Sequence, residues 1–237
     1  MDNSIALVTG ANTGIGREIA RQLVAAGLTV YAAARDAGRG ESAVRELGRG
    51  TRPLLLDVTD AGSIAAAASQ VPALDILVNN AGISLDDKTP DKETTDSFRW
   101  VYETNVFGVV EVTNAFLPAL RRSEHPRIVN ISSSTGSLTL SAERAAAGRA
   151  GGGFAAYRSS KAALNALTIF YAHALAADGF KVNALAPGLR RTGLNAVAAA
   201  SGGDPAEAAA GAVYLALLPD DGPTGQFLSW DGTPVPW

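Results

Sequence analysis

Ser4-Ile5-Ala6-Leu7-Val8-Thr9-Gly10-Ala11-Asn12-Thr13-Gly14-Ile15-Gly16 joins an apolar run to a glycine-rich turn. The run from Ser4 to Thr9 is short and mostly apolar, the pattern of a strand buried on both faces of a parallel sheet. Beyond the turn, Ile15, Ile19 and Leu23 recur at steps of four, a helical stripe that ends near Gly27. Strand, glycine turn and helix form the context in which such a loop carries chemical meaning. Glycines permit a tight turn and let backbone N–H groups and the helix N-terminus approach a pyrophosphate. The spacing is G-x-x-x-G-x-G rather than G-x-G-x-x-G, and a strand-to-helix turn can also need glycine for geometry alone.

The same alternation continues along the chain. Thr29 to Ala34 reads as a second strand, followed by a helix from about Asp36 to Leu47. Pro53 to Leu56 is a third strand and Asp75 to Val78 a fourth, with a helix between them that starts at Asp60 or Ser63 and runs to Gln70. A long helix is expected from about Thr94 to Leu120. Arg127 to Ile131 and Lys181 to Leu185 are further strands, and Gln226 to Trp230 is the last. Ser141 is placed to cap a short helix through Ala147 that stops at Gly148. The helix containing Tyr157 runs to about Asp178, and another spans about Pro205 to Leu218. No internal repeat or linker interrupts this order. Strands alternating with helices predict one doubly wound α/β domain over 1–237, a Rossmann-type parallel sheet with helices on both faces.

Composition narrows the function. With 237 residues and 47% hydrophobic residues, the chain can bury a sizeable core. A net charge of −3 gives no reason to expect nucleic acid or an anionic membrane as partner. There is no cysteine, which excludes disulfides, thiolate metal sites and cysteine nucleophiles. Two histidines, His125 and His173, leave little for a histidine metal site or a Ser-His-Asp triad. No apolar run reaches the roughly 18 residues of a membrane helix, and Met1 to Ser4 lacks a basic leader, so a soluble cytoplasmic protein is expected.

Several residues stand out chemically. Tyr157 and Lys161 are one helical turn apart on a common face. An ammonium near a phenol favours the phenolate, which would lower the tyrosine pKa and make Tyr157 a proton donor or acceptor near neutral pH. Arg35 follows the second strand where a NAD site would carry an acid, and Arg39 lies four residues on. Arginine forks can pair with a 2′-phosphate, whereas the helix dipole disfavours cations at that end. Asp57 could accept from an adenine amino group or cap a turn. Asn79-Asn80-Ala81-Gly82 suits close backbone approach to a ligand, and is also a turn signal. Asn105 sits in an apolar helix face, where an amide needs other work for its side chain. The serines after the fifth strand, Ser132 to Ser134, are turn formers, or one of them donates to a substrate oxygen.

With these motifs in this order, the chain resembles the short-chain dehydrogenase/reductase family over essentially its whole length. The matching elements are Thr9 to Gly16, Asp57, Asn79 to Gly82, Asn105, Ser133, Tyr157 with Lys161, and Pro187 to Thr192. Ala34 to Gly40 and Pro223 to Phe227 look more particularly like carbonyl reductases of that family. The gap from Ser133 to Tyr157 is longer than in most members and shorter than in the monomeric carbonyl reductases.

The resemblance implies that NADP(H), rather than NAD(H), lies across the carboxyl edge of the sheet. Its contacts would come from Gly10, Asn12, Thr13, Gly14, Ile15 and Gly16, then from Arg35, Arg39, Asp57 and Val58. Asn79, Ala81 and Gly82 would follow, with Pro187, Gly188, Leu189 and Thr192 at the nicotinamide. Tyr157 would protonate a ketone or aldehyde oxygen as hydride arrives, with Lys161 on the ribose hydroxyls and lowering the tyrosine pKa. Ser133 would stabilise the developing alkoxide, and Asn105 would hold a water relaying protons from Lys161. Residues 193–203 read as a small, featureless substrate loop, and 137–153 as an insertion before the catalytic helix. The helix after Lys161 is apolar nearly all round and needs cover, so a homo-oligomer is expected. The insertion offers mostly Ala and Gly as the alternative cover. A redox-sensing protein that binds NADP(H) without chemistry is the rival reading. A pure sensor has no need of Asn105, Ser133, Tyr157 and Lys161 together.

Overall fold

The computed structural model describes residues 4–85, 87–148 and 151–237. Met1 to Asn3 and two residues of the 137–153 insertion, 149 and 150, lie outside the described residues. The first half alternates β1 (Ile5–Val8), α1 (Gly14–Ala25), β2 (Thr29–Ala34), α2 (Ala37–Leu47), β3 (Thr51–Leu55), α3 (Ala61–Gln70) and β4 (Ile76–Asn79). α4 (Thr95–Tyr102) then runs through a π-helical turn, Glu103–Phe107, into α5 (Gly108–Leu120) and β5 (Arg127–Ile131). α6 (Leu138–Ala146), α7 (Ala155–Ala174), β6 (Lys181–Ala186), the short α8 (Ala196–Ala199), α9 (Pro205–Ala216) and β7 (Phe227–Ser229) complete the order.

Among the described residues seven strands form one parallel sheet, in the order β3-β2-β1-β4-β5-β6-β7. The order reverses between β1 and β4, which opens a crevice at their carboxyl ends. Alternating strand residues sort into two layers. Ala6, Val8, Val30 and Ile76 pack on Ile19 and Leu23 of α1 and on Ala212 and Leu215 of α9. Leu7, Leu77 and Ile128 face Val112 and Phe116 of α5 and Ile64 of α3. This is the expected doubly wound α/β domain with helices on both faces. Among the described residues no helix is long and apolar enough to cross a membrane.

Three local expectations change. The long helix from Thr94 is not continuous: Gly108 N–H bonds back to the Glu103 carbonyl, the i→i+5 pattern of a π turn. The insertion helix is capped by Ser137, not Ser141, since the Ser137 hydroxyl accepts from Leu140 N–H. Ser141 instead donates to the Ser137 carbonyl. Pro53 lies inside β3 rather than at its start, which is tolerated because β3 is an edge strand.

Candidate active site

The crevice is walled by the loops that leave β1, β2, β3, β4, β5 and β6, and it encloses about 440 Å³. Its first wall is the glycine turn. Gly10 and Gly14 have φ of 63° and 55°, a backbone state that side chains disfavour. A Cβ on Gly16 would run into the Asn80 amide and lie 2.6 Å from the Gly10 carbonyl oxygen. The Thr9 hydroxyl accepts from Asn80 and Ala81 N–H at 2.9 and 3.0 Å, and Asn80 Nδ2 donates to the Thr9 carbonyl at 2.8 Å. The turn is thereby tied to the loop after β4. Thr13 precedes α1 without a side-chain cap, and the first turn of α1 carries no acid. Gly14, Ile15 and Gly16 line the cleft there, so the free N–H groups of the helix start fit a pyrophosphate.

Arg35 and Arg39 line the same cleft further out, exposed and without ion pairs among the described residues. Asp36 stands between them and caps α2 by accepting from Arg39 N–H at 2.8 Å. Asp57 and Val58 close that end. The Asp57 carboxylate already accepts from Thr59 N–H and hydroxyl at 2.9 and 2.8 Å, the turn-capping role.

At the other end α7 presents Tyr157 and, one turn on, Lys161. Ser133, which follows β5, stands beside the Tyr157 hydroxyl, and its own Oγ lies 2.8 Å from Thr135 Oγ1 and accepts from Thr135 N–H at 3.2 Å. Lys161 is 4% exposed; its Nζ donates to the Ile131 carbonyl at 2.8 Å and lies 5.7 Å from the Tyr157 ring centroid. Burial around the hydroxyl pushes the Tyr157 phenol up to about 12, with Ser133 pulling it back, and burial pushes Lys161 down to about 8. The expected lowering of the tyrosine is therefore reversed. Lost hydration outweighs an ammonium that is committed to a backbone carbonyl.

Asn105, fully buried in the π turn, lies behind this pair. Its Oδ1 accepts from Ile83 N–H at 2.9 Å, and its Nδ2 donates to the Ile83 carbonyl and to Ser160 Oγ, both at 3.0 Å. The amide thus clamps the loop after β4 beside Lys161. Gly82 is held so close that a Cβ would sit 3.3 Å from Asn105 Oδ1 and 3.5 Å from Lys161 Nζ.

Most of the residues singled out from sequence meet in this cleft: Gly10, Asn12 to Gly16, both arginines, Asp57, Val58, Ala81, Gly82, Tyr157, Lys161, Pro187 and Thr192, while Asn105 and Ser133 stand behind its surface. Asn79 does not line it. It shares a strand face with Leu77 and points inward, donating to Thr113 and Asn130 at 3.0 and 2.9 Å. Asn80 is the amide at the cleft wall. Gly188 is wedged under Trp230, and Leu189 is 56% exposed, with its carbonyl taken by Ser201. Asp36 and Ser132, read from the sequence only as a helix start and as one of the serines after the fifth strand, also line the cleft, as do Ile83 and Leu194, which went unremarked. Ile83 and Leu194 carry no signal beyond adjacency to a motif.

A model of the short chain dehydrogenase family matches residues 4–201. The chain belongs to the short-chain dehydrogenase/reductase family. Within that family it is 35% identical to (−)-isopiperitenone reductase of Mentha piperita, over 95% of this chain and 96% of that one. It is 33% identical to salutaridine reductase of Papaver bracteatum, over 94% and 93%. The NADPH-bound carbonyl reductase from chicken fatty liver superposes with a TM-score of 0.86 at 30% identity, covering 100% of both chains. The chain is thus an oxidoreductase whose relatives include named reductases.

Proposed function

We propose that this family member is an NADP(H)-dependent reductase of ketones or aldehydes, working reversibly, in the cytoplasm and as a homo-oligomer. The observation that carries the reading is the pairing of Tyr157 with the buried Lys161, its Nζ 5.7 Å from the tyrosine ring centroid, in the cleft that also holds the glycine turn and two arginines. The glycine cradle and the uncapped start of α1 fit a dinucleotide. When bound, the nicotinamide supplies the hydride. The chain's own residues handle the proton and the charge. Tyr157, protonated at neutral pH, donates to the carbonyl oxygen. The Ser133 hydroxyl donates to the same oxygen as it becomes an alkoxide. Lys161 holds positive charge beneath the phenol, and Asn105 fixes the loop that faces it. Residues 193–203 close over the substrate. NADPH oxidation against a panel of carbonyl compounds tests the whole. Tight NADPH binding with no turnover across the panel would favour a sensor instead.

Cofactor choice rests on Arg35, supported by Arg39. A charge-assisted bond to the 2′-phosphate is worth roughly 1.5–3 kcal/mol. Arg35→Ala is therefore expected to weaken NADPH by about tenfold or more and to leave NADH almost unchanged. Equal loss of both cofactors in a binding titration would make Arg35 structural. Assembly rests on α7 and its neighbours. Phe170 on α7 and Phe107 on the π turn are 63% and 49% exposed, and α7 packs along α4 and that turn. Covering such rings is the usual work of an isologous interface. Light scattering on a sizing column is expected to return at least a dimer. A species of 24.3 kDa at micromolar concentration would refute it.

A further inference from the structure

The segment between β6 and α9 sends Pro187, Thr192, Gly193 and Leu194 into the cleft wall, yet Arg190 faces the other way. It is 8% exposed, with its guanidinium stacked 4.3 Å from the ring centroid of Trp230. Nη2 lies 3.4 Å from the Glu207 carboxylate of α9, and Nη1 donates to the Leu189 carbonyl at 3.4 Å. Nε has no hydrogen-bond partner. The residue is held by an indole face and an ion pair more than by hydrogen bonds. A buried cation so sparsely bonded is costly, and the surroundings are shaped to admit it. A Cβ on Gly188 would lie 3.2 Å from the Trp230 ring, and one on Gly203 would lie 2.8 Å from Arg190 Nη1. One on Gly211 of α9 would lie 2.6 Å from the Trp230 carbonyl oxygen.

The stack sits at the neck of the loop. Arg191 N–H donates to the Gly203 carbonyl at 2.8 Å, and the Ser201 hydroxyl donates to the Leu189 carbonyl at 3.1 Å. At the tip, Asn195 Nδ2 donates across the cleft to Ser84 Oγ at 3.2 Å, beside the cleft-lining Ile83 and Leu194. The loop is fastened at both ends.

We propose that Arg190 is a positioning residue: seated on Trp230, it fixes the neck of the 189–203 loop and thereby holds Thr192 against Gly14 of the glycine turn and Leu194 in the cleft wall. This rests on the reductase reading of that cleft. Arg190 touches neither reactant, so its loss should cost binding shared by ground and transition states.

Arg190→Met keeps the stem and removes the fork. The NADPH Kd, from a fluorescence titration, and the KM of a carbonyl substrate are expected to rise about tenfold, the size of one charge-assisted contact. The kcat should stay within about threefold, because uniform binding alone is lost. Arg190→Lys should recover part of the loss, since an ammonium also sits on an indole face. Glu207→Gln, at a carboxylate that is half exposed on α9, should move the same constants in the same direction by a smaller factor. A lower Tm with both constants unchanged in Arg190→Met makes the residue merely structural and overturns the proposal. If that variant does not fold, unchanged constants in Glu207→Gln overturn it. Wild-type protein that binds NADPH but reduces no carbonyl fails the reductase reading instead, and the Kd comparison then judges Arg190 alone.

Discussion

Tyr157→Phe is expected to bind NADPH as the wild type does and to lose nearly all turnover. The substitution removes one oxygen, the one beside Ser133, and leaves the ring in place near Lys161. A positioned proton donor is typically worth about 10²–10⁴ in rate. Retention of more than about a tenth of wild-type kcat, a loss of under about 1.4 kcal/mol, would sink the assignment. The pH profile of the wild type gives a second check. Reduction needs the phenol protonated and the ammonium charged. With Tyr157 near 12 and Lys161 near 8, the phenol keeps its proton at every pH below about 12. The lysine loses its proton first as pH rises. Reduction should accordingly fall as pH rises through about 8. A rate that climbs over that range would mean that Tyr157 works ionised.

Gly16→Ala is expected to destroy the cofactor site. The added methyl meets the Asn80 amide, which could rotate, and also the Gly10 carbonyl at 2.6 Å, which cannot without undoing the turn. That carbonyl belongs to a residue already in the left-handed region. We expect a stability loss of about 1–3 kcal/mol and NADPH affinity down by about a hundredfold or more, near 2.7 kcal/mol. Gly38→Ala on α2 is the control, because its Cβ would find Asp36 Oδ1 at an ordinary 3.5 Å. Thermal shift with and without NADPH separates the two effects. A Gly16→Ala protein with the wild-type NADPH-dependent shift would show that the turn has slack.

Sequence legibility followed the reach of each signal. Local period and punctuation marked β1, the glycine turn and α1, because a buried strand and a helical stripe are written within a dozen residues. Tyr157 and Lys161 were legible because helical spacing alone puts them on one face. Asn79 and Asn80 were not separable that way. Which amide turns to the cleft depends on strand parity, with Asn79 on the Leu77 face, and on the tie from Asn80 to Thr9 across the sheet. The π turn was invisible, since five residues with an i→i+5 bond leave the apolar pattern of a helix almost unchanged. The direction of the Tyr157 shift was misjudged for a related reason. Proximity to Lys161 is readable from spacing, whereas lost hydration and the Ile131 carbonyl that engages Nζ are tertiary facts. Arg190 looked like one more basic residue in a loop; only its contact with Trp230, forty positions on, distinguishes it.

The π turn has a consequence for how this chain can change. Such a turn is an α-helix with one residue to spare. Deleting one position from 103–107 would let α4 and α5 merge into one continuous α-helix without turning one half against the other, because the wide turn has already absorbed the roughly 100° that the spare residue would add. Val101 on the first half and Val112 and Phe116 on the second, all fully buried, would keep their inward faces, and what is lost is the bulge that aims the Asn105 amide at Ile83. Glu103 can be exchanged for many residues, because it is not buried. In a library of single-residue deletions, this stretch should therefore keep its fold and lose its chemistry, with thermal stability near the wild type and turnover gone together with the Asn105–Ile83 clamp.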